Sequence, residues 1–259
     1  MISRLPVPSP LAVNGLPQSK SAYDQSLMRQ LNVGLKGLWP LQETSGTTLK
    51  DSLGVGDATI TGTATVGQAG PTDFIPYSVN FNTGYATTGY SQVNLIKYSM
   101  ACWFKTTATS GMVFGGRTSV GVGSLSTFFG TDGGGGGGNG RPRLVADGNS
   151  LAIGYSTIAT YNDGNWHHGV WVCDTASGLS MSNGHMRIYI DGAFVAGVTQ
   201  DGAGAQNAPF SSGGAMQIAA NGRGTETLVC NLAMVSVWER VLSEKEAAWL
   251  YRCATGANR

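Results

Sequence analysis

Two carboxylates about 5–5.5 Å apart can hydrolyse a glycosidic bond, one as the nucleophile and the other as acid and base. The glutamates of this chain are Glu43, Glu226, Glu239, Glu244 and Glu246. The last two fall in a predicted terminal helix, and no E-x-D or D-x-E sequence occurs inside a predicted strand. Asp132 and Asp147 flank glycine-rich loops, where a solvated turn position is the simpler interpretation. The sequence therefore predicts no catalytic carboxylate pair.

Histidine and serine give no stronger indication of catalysis. His167 and His168 follow Trp166 in a predicted turn, where a ring hydrogen-bonded to neighbouring backbone is the simpler interpretation. Residues 121–124 and 123–126 match only half of a G-x-S-x-G nucleophile elbow, a weak match in a chain with 39 glycines. We therefore predict that the protein is not an enzyme.

Aromatic rings and planar polar side chains in loops are the residues that a sugar-binding site uses. Four tyrosines in predicted loops or at strand ends are candidates: Tyr85, Tyr90, Tyr155 and Tyr161. Ordinary packing at a sheet edge is the alternative for each of them. Three arginines near a run of six glycines could contact acidic sugars or a neighbouring subunit: Arg117, Arg141 and Arg143. A solvated loop charge is the alternative for these.

Composition and charge restrict the classes of partner. With 259 residues, the chain is long enough for one large all-β domain or two small ones. Charged residues make up 12% of the sequence and the formal net charge is +1, so no basic field exists to attract nucleic acid or anionic lipid. No apolar segment approaches the length of a membrane span. We therefore expect neither a nucleic-acid partner nor a membrane partner.

The cysteines and the first residues bear on the cellular compartment. The four cysteines, Cys102, Cys173, Cys230 and Cys253, include no CxxC pair. We expect free buried thiols, with a disulfide scaffold as the alternative, because a chain of this length needs no cross-links. The opening segment contains prolines and no apolar run long enough for a signal-peptide core. Both features favour assembly in a cytoplasm.

Residues 1–18 are predicted to form an extended arm, because prolines fix φ and remove backbone donors. A short helix is predicted to follow, from about Ala22 to Val33, with an apolar stripe of Tyr23, Leu27 and Leu31. This stripe could pack on its own domain or contact another subunit. Because a proline-rich terminus is poorly ordered unless something holds it, we favour the subunit contact.

From Gly37 onwards the pattern changes to strands. The segment 98–104 alternates Tyr98, Met100, Cys102 and Phe104 with Ala101 and Trp103, so both faces are apolar, as in a strand covered on both sides. Asp191-Gly192 predicts a tight hairpin. The segment 243–246 has the sequence of a capping box that opens a short helix. The glycine run at 133–138 predicts a loop tip.

Five ordered motifs between residues 37 and 252 resemble those of laminin-G-like domains, which have the concanavalin A-like lectin and glucanase fold. They are GLWPLQETSG at 37–46 with DSLG at 51–54, YSMACWFK at 98–105, DGNWHH at 163–168, RIYIDG at 187–192 and VSVWERVLSEKE at 235–246. The resemblance implies an all-β, antiparallel jelly-roll β-sandwich. To this we add an N-terminal extended arm, a short N-terminal helix and a short C-terminal helix. The predicted domains are residues 1–35, an arm and helix for anchoring or interaction, and residues 36–259, the sandwich.

Many laminin-G-like domains hold a calcium ion at the rim of the sandwich. The resemblance places possible ligands at Asp51 and Asp57. An acidic pair that often contributes at the start of the last strand is replaced here by Ala233 and Met234. Because calcium prefers about 6–8 oxygen ligands, we expect no cofactor, with calcium at Asp51 and Asp57 as the alternative.

Two functions remain open. The first is a non-catalytic structural or binding protein of a phage virion surface, such as a head-decoration or fibre subunit. It would be assembled in the host cytoplasm, as a homo-oligomer or within a larger assembly, through contacts of the N-terminal arm with other protein subunits. The second is a carbohydrate-binding, lectin-like module of a cell-surface or secreted protein. A virion sandwich could also bind glycans, so the two are compatible.

Overall fold

The computed structural model describes residues 22–116, 124–129, 140–148, 151–176, 185–201 and 209–256. Two helices flank the strands in sequence: α1 (Ala22–Gln30) and α2 (Glu244–Thr255). The first strands are β1 (Leu35–Trp39), β2 (Thr48–Leu49), β3 (Ala58–Thr61), β4 (Ala64–Thr72), β5 (Ile75–Phe81), β6 (Tyr85–Thr87), β7 (Lys97–Lys105), β8 (Gly111–Gly115) and β9 (Ser124–Phe129). The later strands are β10 (Pro142–Gly148), β11 (Leu151–Thr157), β12 (His167–Asp174), β13 (Met186–Ile190), β14 (Ala193–Val195), β15 (Gly197–Asp201), β16 (Gln217–Ile218) and β17 (Cys230–Trp238).

These strands form two sheets of antiparallel pairs. The first sheet has eight strands in the order β14-β13-β12-β7-β17-β5-β4, with β1 also paired to β17. The second sheet has nine strands in the order β15-β11-β10-β9-β8-β16-β6-β3-β2. Apolar side chains from both sheets, such as Phe104 and Phe129, meet in one continuous core. The predicted all-β jelly-roll sandwich is therefore confirmed.

Strand β7 is buried on both faces, as its sequence predicts. Met100 and Phe104 point into the core between the sheets, whereas Ala101 and Trp103 belong to a second apolar cluster on the outer face of the first sheet. Leu250 of α2 and Leu27 of α1 belong to this outer cluster too. The first sheet therefore lies between a sheet on one side and two helices on the other.

The expectation that the stripe of α1 contacts another subunit is corrected for the two leucines that the structure describes. Leu27 is 1% exposed and Leu31 is 5% exposed, because both pack against the protein's own first sheet. The Trp238 indole N–H also donates to the Leu31 carbonyl at 2.8 Å. The side chain of Tyr23, the arm and the glycine run lie outside the described residues.

Helix α2 begins at the predicted capping box. Ser243 Oγ accepts the backbone N–H of Glu246, and the Glu246 carboxylate accepts the N–H of Ser243 at 2.8 Å. Gly256 ends the helix in the left-handed conformation with φ +75°. At the predicted hairpin, Asp191 and Gly192 both have positive φ, and Ile190 pairs with Ala193.

All four cysteines are free, as expected. Burial raises the pKa of the Cys102 and Cys230 thiols, and it raises the pKa of Cys173 to about 12. These three side chains therefore stay protonated at neutral pH and pack as small apolar groups.

Candidate functional site

Polar and aromatic side chains gather on the outer face of the second sheet, where β6 and β16 pair. Ala86 and Ile218 of these strands point into the core, so the neighbouring positions Tyr85, Thr87 and Gln217 point outward. The turn that follows β16 adds polar side chains beside them. We call the set Tyr85, Thr87, Gln217, Asn221 and Glu226 the Tyr85 surface.

Hydrogen bonds fix the two amides of the Tyr85 surface. Asn221 Oδ1 accepts the backbone N–H groups of Arg223 at 2.9 Å and Thr225 at 3.1 Å, and Asn221 Nδ2 donates to Glu226 Oε2 at 3.1 Å. Gln217 Oε1 accepts the N–H of Gly224 at 2.8 Å. The two buried amides therefore hold the turn, and with it the Glu226 carboxylate, in a set position before a ligand arrives.

The Tyr85 ring lies against the backbone of Gly224. A Cβ atom at Gly224 would be 2.6 Å from Tyr85 Cζ, and its φ of +70° also favours glycine. Ala219 and Glu226, at the two ends of the same turn, have positive φ as well. Such strained backbone persists where surrounding contacts hold it, which is common at binding sites.

A second group of loops meets at one end of the sandwich. The N–H of Gly140 donates to the Thr109 carbonyl, and the N–H of Tyr161 donates to the Gly140 carbonyl, both at 2.9 Å. The N–H of Gly164 donates to the Thr106 carbonyl at 3.0 Å. We call residues 106–110, 140–141 and 161–165 the loop end.

His167 joins the loop end to the β13–β14 hairpin. Its Nδ1 lies 2.8 Å from Asp191 Oδ2 and its Nε2 lies 3.2 Å from Asp163 Oδ1. The hydrogen bond with Asp191, reinforced by the charges of both carboxylates, raises the pKa of His167 despite its partial burial. Tyr161 packs edge-on against the imidazole, with ring centroids 5.3 Å apart. The expected hydrogen bond of this ring to the backbone is wrong, since both nitrogens face carboxylates.

His168 has a structural environment. Its ring is buried on the outer face of the first sheet, 5.2 Å from the Trp103 ring centroid and beside Tyr251 of α2. Burial lowers the pKa of His168 to about 4, so the imidazole is neutral at physiological pH.

The four tyrosines that are candidates for sugar binding differ in their exposure: two are buried and two are partly exposed. Tyr90 and Tyr155 are 9% and 6% exposed and belong to the main core, so they are not available to a ligand. Tyr85 and Tyr161 are partly exposed, one on the Tyr85 surface and the other at the loop end. Alternation along a strand could have placed Tyr155 inward, because its neighbours in sequence are small or polar.

The two candidate arginines that the structure describes also differ in their burial. Arg141 is half-buried beside Gly140 at the loop end. Arg143 is 2% exposed, which corrects the expectation that it contacts a ligand. Arg117 lies outside the described residues. Sequence reasoning did not find Gln217, Asn221 and Glu226, since only the pairing of β16 with β6 brings them to Tyr85.

A family model described as the concanavalin A-like lectin/glucanases superfamily matches residues 80–248, more than half of the chain. The chain belongs to this superfamily. No curated protein matches the sequence. Among the described residues, no helix of this concanavalin A-like domain is long and apolar enough to cross a membrane.

Solved structures share the fold at low sequence identity. Domain 4 of AbnA, a GH43 extracellular arabinanase from Geobacillus stearothermophilus in complex with arabinotriose, has 15% identity and a TM-score of 0.57, over 84% of this chain and 98% of that chain. A structure from work on botulinum neurotoxin type C, whose cell entry depends on interaction with two ganglioside molecules, has 11% identity and a TM-score of 0.57, over 88% of this chain and 53% of that chain. A mutant of Trypanosoma rangeli sialidase displaying trans-sialidase activity has 13% identity and a TM-score of 0.53, over 85% of this chain and 33% of that chain.

The concanavalin A-like domain thus spans about half of the toxin chain and a third of the sialidase chain. Its structural neighbours include both carbohydrate-binding domains and enzymes. At these identities the comparison establishes the fold and not the ligand.

Asp51 of this concanavalin A-like domain accepts hydrogen bonds from the backbone, which argues against the alternative that it binds calcium. Its Oδ1 accepts the N–H groups of Leu38 at 3.0 Å and Leu53 at 3.1 Å. Its Oδ2 accepts those of Val55 at 3.1 Å and Gly56 at 3.2 Å. Four donors occupy the lone pairs that a calcium ion would need.

Asp57, the other candidate calcium ligand, is also engaged, and the position where Met234 replaces an acidic residue is apolar. Asp57 accepts the ammonium of Lys50 at 2.6 Å, and that hydrogen bond lowers the pKa of Asp57. Met234 packs into the outer apolar cluster at an irregularity in β17. Within the described residues, no three His, Cys, Asp or Glu side chains are arranged to hold a metal ion.

Replacing His168 with leucine is expected to reduce the acid sensitivity of the domain. Because the pKa of His168 is about 4 in the folded state and about 6.5 in the unfolded chain, the unfolded state binds the proton first. The stability that the neutral ring contributes is present above the unfolded pKa and is lost as the pH falls towards the folded pKa. Between about pH 7 and pH 4, the unfolding free energy of the unsubstituted protein should fall by about 3 kcal/mol more than that of His168→Leu in urea denaturation.

His167→Gln is a control whose effect on stability should change with pH in the opposite direction. The raised pKa of His167 means that its contribution is present below the unfolded pKa and is lost as the pH rises through the folded pKa. This variant should therefore lose more stability in mildly acidic buffer than in alkaline buffer. Identical pH profiles for the unsubstituted protein and His168→Leu would contradict the assignment.

Asp51→Ala is expected to lower the free energy of unfolding by about 3 kcal/mol or more, because four backbone N–H groups lose their acceptor. The control Asp73→Ala removes an exposed acid in the β4–β5 turn and should change stability little. Melting temperatures should be the same in calcium and in a chelator for both variants and for the unsubstituted protein. A calcium-dependent rise that Asp51→Ala abolishes would show that the carboxylate binds metal.

Proposed function

We propose that this concanavalin A-like domain is a non-catalytic module that binds glycans through the Tyr85 surface. The observation that carries the proposal is the fixed placement of the partly exposed Tyr85 ring beside the exposed Glu226 carboxylate, next to two buried amides that hold the turn in place. Sugars are recognised by stacking of their apolar C–H faces on aromatic rings and by hydrogen bonds from their hydroxyls to planar polar groups.

The outer face of the second sheet, which carries the Tyr85 surface, is more accessible to a ligand than the outer face of the first sheet. The helices α1 and α2 cover much of the outer face of the first sheet, which leaves less of it for a ligand. The outer face of the second sheet carries partly exposed Tyr85 and Thr87 and exposed Glu226. The rigid turn after β16 presents the polar groups without a large entropic cost on binding.

The arrangement of the acidic side chains supports binding over hydrolysis. Glu244 and Glu246 lie in α2, and Glu246 forms an ion pair with Arg240 at 2.7 Å. Glu43 and Asp57 lie near each other, but Lys50 engages both, through its backbone N–H to Glu43 and its ammonium to Asp57. Glycosidase chemistry requires two carboxylates that are free to flank a sugar ring.

Tyr85→Ala is expected to weaken glycan binding at least about tenfold, because loss of an aromatic platform removes roughly 1–3 kcal/mol of contact energy. Tyr77→Ala is the matched control, since Tyr77 is 41% exposed and lies in β5 of the other sheet. Binding would be screened on a glycan array and measured by isothermal titration calorimetry. Equal affinity of both variants for an array ligand would exclude the Tyr85 surface, and no binding to any glycan would exclude the function.

For a second role we propose that residues 1–21 anchor the domain to other protein subunits, as in a phage virion surface protein assembled in the host cytoplasm. A cell-surface or extracellular module is the alternative. The proline-rich sequence of this arm and the fixed position of α1 support the proposal. Leu27, Leu31 and the Trp238–Leu31 hydrogen bond hold the helix on the sandwich, so the arm is attached to a rigid point.

Deletion of residues 1–21 is expected to abolish self-association and leave a monomer that still unfolds cooperatively, because no described core residue is removed. Light scattering would give the mass and calorimetry the stability. Deletion of residues 1–34 is the contrasting variant, and it should also destabilise the domain by several kcal/mol, since each buried leucine contributes about 2–5 kcal/mol. A monomeric full-length protein, or an oligomer that survives the shorter deletion, would contradict self-association through the arm.

A further inference from the structure

We propose that Arg141 and Tyr161 form a second ligand site, which binds the carboxylate of an acidic saccharide at the loop end. This site is separate from the Tyr85 surface and does not depend on it. The proposal rests on the state of the Arg141 guanidinium, the residues that surround it and the engagement of the nearby acids.

Arg141 is a cation without a counterion among the described residues. Its side chain is half-buried, and its Nε is buried with no hydrogen-bond partner. The described part of the chain offers it no ion pair, whereas Arg240 pairs with Glu246 and Arg187 lies 3.9 Å from Asp174. A partly desolvated guanidinium is costly unless an anion satisfies it, and its planar fork matches a carboxylate.

The loop that carries Tyr161 and Asn162 meets the backbone next to Arg141. The Gly140 carbonyl accepts the backbone N–H of Tyr161 at 2.9 Å, which joins the two loops, and the Tyr161 ring packs against His167 beside them. Gly140 has φ +76°, and any Cβ there would overlap the Asn162 amide. Arg141, Tyr161 and Asn162 thus lie on two loops that meet at Gly140, and the Asn162 amide lies against that glycine. These are groups that hold a sugar ring carrying an acidic substituent.

The acids near Tyr161 are engaged with their own partners and do not compete for Arg141. Asp163 accepts the backbone and side-chain N–H groups of Asn165 at 2.8 and 2.9 Å and also faces His167. Asp191 faces the other nitrogen of His167 and accepts the N–H of His168 at 2.9 Å. The positively charged group left available at the loop end is the guanidinium of Arg141.

The experiment is an array of acidic saccharides, each with its neutral parent: uronate oligomers, sialylated lactose and sulfated oligosaccharides. We expect the full-length protein to bind at least one carboxylated saccharide more tightly than its neutral parent, and the binding to weaken with added salt. Arg141→Gln should reduce that affinity at least tenfold and remove the difference from the neutral parent. Arg141→Lys should retain part of it, because the charge stays but the fork is lost.

Two measurements keep the test independent of folding and of the Tyr85 surface. Arg252→Gln changes an exposed arginine of α2 and should bind like the unsubstituted protein, and all variants should have the same melting temperature. In NMR titrations with the best carboxylated saccharide, the backbone amides of Tyr161 and Asn162 should shift, in the parent and in Tyr85→Ala alike. Binding of sulfated saccharides alone, equal affinity of Arg141→Gln, or no preference for acidic members would overturn the proposal.

Discussion

Burial of the first sheet on both faces is the constraint on which the rest of the structure depends. Strand β7 sends Met100 and Phe104 into the core between the sheets, and Ala101 and Trp103 into the outer cluster. A sheet with two apolar faces needs a cover on each side. The second sheet covers one face. The helices α1 and α2, held by Trp238 and the capping box at Ser243, cover the other.

This covering decides where a ligand can bind. With much of one sheet covered, the outer face of the second sheet and the loop end are two described surfaces that combine partly exposed aromatic rings with fixed polar groups. Both are rigid for local reasons. The amides of Gln217 and Asn221 are held by the turn after β16, and Tyr161 is held by His167. The same rigidity explains why positive φ is tolerated at Glu226.

Asp51 shows how a carboxylate can take a structural role in place of a catalytic or metal-binding one. Its two oxygens accept four backbone N–H groups, which would otherwise lack partners: those of Leu38, Leu53, Val55 and Gly56. By contrast, the half-buried charge of Arg141 has no partner among the described residues. Buried polar groups with partners stabilise the fold, whereas the unpaired Nε of the half-buried Arg141 lies close enough to the surface for a ligand to reach the guanidinium.

The sequence by itself determined the doubly buried β7, the hairpin at Asp191-Gly192 and the cap of α2, because alternation, turn residues and capping are local. The sandwich was implied by the resemblance of five motifs to laminin-G-like domains. The sequence identified Tyr85, Tyr161 and Arg141, but it could not separate them from Tyr90, Tyr155 and Arg143. Which side of a strand faces solvent depends on the sheet that packs against it, so only the tertiary structure decided this. The same holds for Leu27 and Leu31, whose amphipathic spacing fits any apolar partner and which here pack on the protein's own first sheet. The boundary between an arm with its helix and the sandwich at residue 35 stays a prediction.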